Sequence, residues 1–171
     1  MGQNALGSLF DLVVGVLPLD LQTARTGDYV SLKNWGHLTV AIVKGLGTDG
    51  DDQTFTFNQA TSVAGGSAKG LNVSEYFEKE AGTDLTGTGV WTRVTQTAAS
   101  TVAPGDPSAQ DAALYVFEFD ADQLDVDNGF DCVSVDNDGA GSNAQLGAIL
   151  YILSRPRYAT APANLPNPII D

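Results

Sequence analysis

The sequence predicts an all-β chain: an antiparallel β-sandwich, jelly-roll-like, with an extended arm at each end. Three observations carry this. Short stretches of alternating or wholly apolar residues recur along the chain, and a period of two marks a strand with one buried face. Between them lie segments rich in Gly, Asp, Asn and Pro, drawn from 19 glycines and 7 prolines, which supply the backbone angles of turns. Little of the chain reads as helix. Hydrophobic residues are 43% of the 171 and charged residues 17%, the balance of a folded chain rather than a disordered one. The length suits one domain whose core needs no staples.

The elements follow in order. Residues 12–17 are apolar and Val-rich, and 29–32 form a short strand candidate. Residues 37–44 (HLTVAIVK) make the best early strand, bounded by Gly36 and Gly45. In 53–58 (QTFTFN), Phe55 and Phe57 share one face and Thr54 and Thr56 the other. Residues 74–80 (SEYFEKE) are the one fair helix candidate, two turns with Ser74 placed as cap. Residues 91–97 alternate around Val94, and 113–120 (ALYVFEFD) put Tyr115, Phe117 and Phe119 on one face. Residues 130–135 are short. Residues 145–154 (QLGAILYILS) are almost wholly apolar, which predicts a central strand or a buried edge. Eight or so strands with little helix predict a sandwich or barrel.

The ends differ from the middle. Residues 159–171 (ATAPANLPNPIID) hold three prolines, resist helix and sheet, and predict an extended arm. The expected organisation is an N-terminal arm over 1–10, a sandwich over 11–158 and a Pro-rich C-terminal arm over 159–171.

Charge narrows the function. Eight basic and 21 acidic side chains give a net charge of −13. A phosphate backbone needs a basic footprint, and an anionic membrane repels such a chain, so neither nucleic acid nor membrane is an expected partner. From Arg93 to Arg155 no basic residue occurs while ten acids do, so one face or end is expected to be strongly negative. The N-terminus lacks a basic n-region and Asp11 interrupts the apolar run that follows, so no signal peptide is expected. No apolar run reaches the ~20 residues of a membrane-spanning helix.

The motifs reduce to structure. Gly45-Leu46-Gly47-Thr48-Asp49-Gly50 fits G-x-G-x-x-G, but acids and a strand follow where a dinucleotide site needs a helix. The Asp-rich stretch 120–138 fails the EF-hand spacing. A looser Ca²⁺ site on Asp125, Asp127 and Asp131 stands beside the simpler reading of solvated loop charge. The single His37 begins an apolar strand and reads as structural. The single Cys132 sits in an apolar strand and reads as a small buried hydrophobe. With one Cys and one His, no internal disulfide, no metal centre and no cofactor is expected. Arg155-Pro156-Arg157 closes the longest apolar strand, where the proline should end the pairing. Its arginines read either as internal partners of the acids or as an interface contact. No catalytic constellation emerges, and the chain is expected not to be an enzyme.

Four blocks resemble small virion structural proteins of tailed bacteriophages. They are 29–40 (YVSLKNWGHLTV), 59–65 (QATSVAG), 117–133 (FEFDADQLDVDNGFDCV) and 149–159 (ILYILSRPRYA), the last followed by the Pro-rich tail ending Ile169-Ile170-Asp171. Residues 45–52 and 98–109 fall outside the resemblance. It implies a non-enzymatic virion component, most often a capsid decoration (cement) protein. Such a protein is made in the host cytoplasm and sits on the capsid surface. The implied partners are the major capsid protein and further copies of itself, as a homodimer or homotrimer. On that reading the expected interface residues are Arg155 and Arg157, then Pro162, Leu165, Pro166, Pro168, Ile169 and Ile170 of the arm. The acids Asp122, Asp125, Asp127 and Asp131 would meet basic residues of the capsid protein. Two alternatives are carried: a tail, neck or baseplate protein of a phage, and a carbohydrate-binding domain using Trp35 and Trp91.

Overall fold

A computed structural model of the chain describes residues 6–82, 89–104, 111–139, 141–157 and 167–169. A helical turn, α1 (Leu6–Leu9), precedes eleven strands: β1 (Asp11–Asp20), β2 (Val30–Ser31), β3 (Trp35–Lys44), β4 (Phe55–Ala60), β5 (Lys69–Gly70), β6 (Val73–Gly82), β7 (Thr92–Ala99), β8 (Thr101–Val102), β9 (Ala112–Asp120), β10 (Cys132–Asn137) and β11 (Leu146–Pro156). Two single turns of 3-10 helix, Ala121–Gln123 and Val126–Asn128, join β9 to β10.

The strands form two antiparallel sheets. One has six strands in the order β1-β11-β3-β9-β6-β7, the other five-stranded sheet runs β2-β10-β4-β5 with β8 paired to β4. First pairs with last (β1 with β11), then β2 with β10, β3 with β9 and β4 with β5. This is a long two-stranded ribbon rolled on itself, the winding of a jelly roll. The β6–β7 hairpin is an addition that extends the six-stranded sheet beyond β9.

Alternation decides what lies between the sheets. Leu38, Val40 and Ile42 of β3, Tyr115, Phe117 and Phe119 of β9, and Ile149, Tyr151 and Leu153 of β11 point inward and are buried. Phe55 and Phe57 of β4 meet them from the opposite sheet. The Phe57 ring lies 4.6 Å from Phe117 and 5.8 Å from Phe119, and Phe55 lies 6.4 Å from Tyr115. These tilted contacts are the preferred geometry of aromatic pairs.

The helix expected over residues 74–80 is instead part of β6. The segment is paired on both sides, to β7 and to β9. Tyr76 points inward, stacking on Phe117 at 5.1 Å and meeting Tyr115 edge-on at 6.4 Å. A two-turn helix is marginal by itself, whereas the strand gains two ladders and an aromatic core position.

Most of the two expected arms (1–5, 159–166, 170 and 171) lies outside the described residues. Residues 167–169 lie against the body. Pro168 is buried, and its carbonyl accepts the Ser31 backbone N–H at 2.7 Å, on the free side of β2.

Candidate functional site: the outer face of the six-stranded sheet

In a two-layer sandwich the outward residues of each strand should be polar. The five-stranded sheet obeys. Its outer face carries Thr56, Asn58 and Asp136, tied together by hydrogen bonds: Asn58 Nδ2 donates to Asp136 at 3.0 Å, and Thr56 Oγ1 to Asp138 at 2.7 Å.

The six-stranded sheet does not obey. The strand register lays its outward residues in rows across the sheet. The middle row runs Val14, Leu150, Ala41, Val116, Phe77 and Arg93. Below it run Ala148, Val43, Leu114 and Lys79, with Trp91 just before β7 stacked against the Lys79 ammonium at 5.8 Å. Above it run Leu12, Ile152, Thr39 and Glu118. Leu12 is 46% exposed, Val14 40%, Val43 40%, Leu114 38% and Phe77 37%. These are large apolar side chains in one continuous patch rather than scattered singly, and such patches mark interaction surfaces.

Charge is confined to the rim. At the upper end His37 sits between two carboxylates: its Nδ1 lies 2.8 Å from Asp120 and its Nε2 2.5 Å from Glu118. Thr39 Oγ1 donates to the same Glu118 oxygen at 2.7 Å. Arg155 donates to Asp120 at 2.8 Å, from a left-handed backbone conformation with φ of 54°. The hydrogen bond from His37, aided by the Arg155 charge, holds the Asp120 carboxyl below the usual range against partial desolvation. At the lower end Lys79 is the charged group, and Arg93 pairs with Glu75 at the β7 edge. With both nitrogens held by carboxylates, the His37 imidazole orders the rim.

The structure disperses the interface residues expected from sequence. Arg155 is an internal partner of Asp120, while Arg157 is exposed, its backbone N–H donating to Asn34 at 2.9 Å. Asp125 is bound by Lys69 and accepts from Asn128 at 2.8 Å, which holds its pKa below the usual range, the Lys69 bond first. Asp122 and Asp127 are exposed on the two 3-10 turns, and Asp131 is half-buried beside the Cys132 thiol at 3.1 Å. Among the described residues, no group of three His, Cys, Asp or Glu side chains could hold a metal ion. Ile169 is 48% exposed. With Pro168 it lines a groove of about 730 Å³ that runs along β1 past Phe10, Leu12 and Val14. Pro162, Leu165, Pro166 and Ile170 lie outside the described residues. Trp35 is fully buried and offers no ring to a sugar, leaving Trp91 alone of the pair expected for carbohydrate.

Sequence reasoning missed the outer face. Part of the signal was present: 145–154 is apolar on both faces, more than a strand with one wet face requires, and in 37–44 Ala41 and Val43 fall on the outward side.

No protein-family model matches the sequence, and no curated protein matches it. Among solved structures, that of YomS, an SPBc2 prophage-derived protein, is similar to this chain with a TM-score of 0.45 and 12% identity, covering 86% of this chain and 96% of that one.

Proposed function

We propose that this chain is a non-enzymatic structural protein of a bacteriophage virion, a decoration protein that binds the major capsid protein lattice from outside and works there as a homo-oligomer. The observation that carries the assembly role is the open apolar face of the six-stranded sheet, which in a free monomer leaves large side chains in water. The four sequence blocks that resemble virion proteins supply the setting. The physical requirements agree. A decoration protein must stay soluble until its lattice exists, and a net charge of −13 serves that. It must then hold by contacts repeated over the shell, each of which an oligomer multiplies. The exposed acids Asp122 and Asp127 offer such contacts to a basic surface.

The same features serve a tail, neck or baseplate protein, and copy number separates the two. Quantitative gel densitometry of purified virions against the major capsid protein is expected to give a copy number comparable with that protein. A small fraction would place the chain in the tail or neck. Absence from the particle would overturn the virion reading.

A further inference from the structure

We propose that the outer face of the six-stranded sheet is covered by the same face of a second copy, the two sheets packing face to face about a two-fold axis that runs across the strands. The proposal rests on the assembly reading above and names the occupant of that surface.

Three features select a second copy. The first is shape. A broad apolar sheet face is best covered by another sheet about 10 Å away, with strand directions within about 30°. The second is charge. The acids of the face lie at one end, with Glu118 in the upper row, and the ammonium of Lys79 at the other. A two-fold axis along the middle row exchanges the ends and sets Glu118 of each copy beside Lys79 of the other. The middle row then meets itself, Val116 over Val116 and Leu150 over Leu150 at the centre, while at its β7 end Arg93 faces Arg93, each paired with the Glu75 of its own copy. An isologous contact of this kind closes as a dimer. The third is size. Five interstrand spacings of ~4.8 Å by about 20 Å along the strands give roughly 1,000 Å² over both copies, where specific interfaces begin.

The test is sedimentation of the purified full-length chain over a range of concentrations, with four variants. The wild type is expected to pass from monomer to dimer. Val116→Asp puts a charge at the centre and is expected to leave monomer at every concentration tested. Glu118→Lys and Lys79→Glu each set like charges together across the axis, and each is expected to raise the dissociation constant about tenfold. The double exchange restores opposite charges and is expected to recover most of the loss, a recovery that a folding defect would not give. A wild type that stays monomeric, or a dimer indifferent to Val116→Asp in a variant whose thermal melt shows it folded, overturns the proposal. Incorporation into virions separates this from the wider reading. A monomer that enters the particle unless Val116 is changed means that the face binds the lattice, which overturns the proposal and keeps the virion role. A dimer missing from the particle keeps the proposal and overturns that role.

Discussion

Tyr151 shows what a single residue does here. Its ring crosses the core from β11, and its hydroxyl oxygen accepts the backbone N–H of Val135 at 2.9 Å. That group lies in β10 beyond the last residue paired with β2, so no neighbouring β2 residue takes it and the phenol joins the two sheets. Burial pushes the phenol pKa well above its usual value. Tyr151→Phe keeps the ring and strands a buried donor, which costs about 1–3 kcal/mol. Urea unfolding is expected to show that loss in the midpoint with an unchanged slope; an unchanged midpoint would mean that water replaces the phenol. Gly15 makes the room: a Cβ there would lie 2.4 Å from the Tyr151 ring. It sits where the β1 register slips between Val14 and Val16. Gly15→Ala is therefore expected to destabilise by a further overpacking cost of about 1–3 kcal/mol.

Elements differ in how far the sequence alone specified them. Strands β3, β4, β9 and β11 were legible because inward Leu, Ile, Phe and Tyr recur every second residue, and their inner faces are the core. β6 was not, because SEYFEKE is mostly polar and the aromatic partners of its inward Tyr76 lie on β9, beyond β7 and β8 in sequence; Tyr76 finds Phe117 only once β6 pairs with β9. The short β2, β5 and β8 have too few residues to show a period. The outer face was only partly legible for a related reason. Each strand shows apolar residues on both sides, but only the register aligns Val14, Leu150, Ala41 and Val116 into one row. The turn before β11 is held by a carboxylate. Asp51 accepts the side-chain amide of Asn143 at 2.7 Å and the backbone N–H groups of Asn143 and Ser142 at 2.8 and 3.2 Å. These bonds, the Asn143 side chain first, hold its pKa below the usual carboxylate value. A lowered folded pKa gives stabilisation that is present above the unfolded value and lost as pH falls through the folded one. Amide exchange at Ser142 and Asn143 is expected to be slow near neutrality and to lose its protection as the medium is acidified below the ordinary carboxylate range. Asp51→Ala should lack that protection at every pH, and equal protection in the two proteins would show that the loop is held by something else.

At the scale of the whole molecule, the net charge of −13 opposes the proposed dimer and apolar burial favours it, and magnitudes decide when each wins. A 171-residue domain has a radius of gyration of about 15 Å, so the charges of two copies in contact lie about 30 Å apart on average. Two bodies of −13 at that distance repel by roughly 23 kcal/mol in unscreened water. With a Debye length of about 30 Å at 0.01 M salt the repulsion is still about 8 kcal/mol, and at about 10 Å in 0.1 M it drops to about 1 kcal/mol. The two Glu118–Lys79 contacts across the axis pull the other way, but rim-exposed pairs are worth at most about 1 kcal/mol each and salt weakens them too. Apolar burial at the centre is nearly indifferent to salt at these concentrations. The sign therefore follows from the net charge: adding salt from 0.01 to 0.1 M is expected to strengthen self-association, with monomer at the low value and dimer at the high one at the same protein concentration. Sedimentation at the two salt levels reads this directly. Dissociation on adding salt would mean that ion pairs lead the contact and that the apolar rows are not its centre.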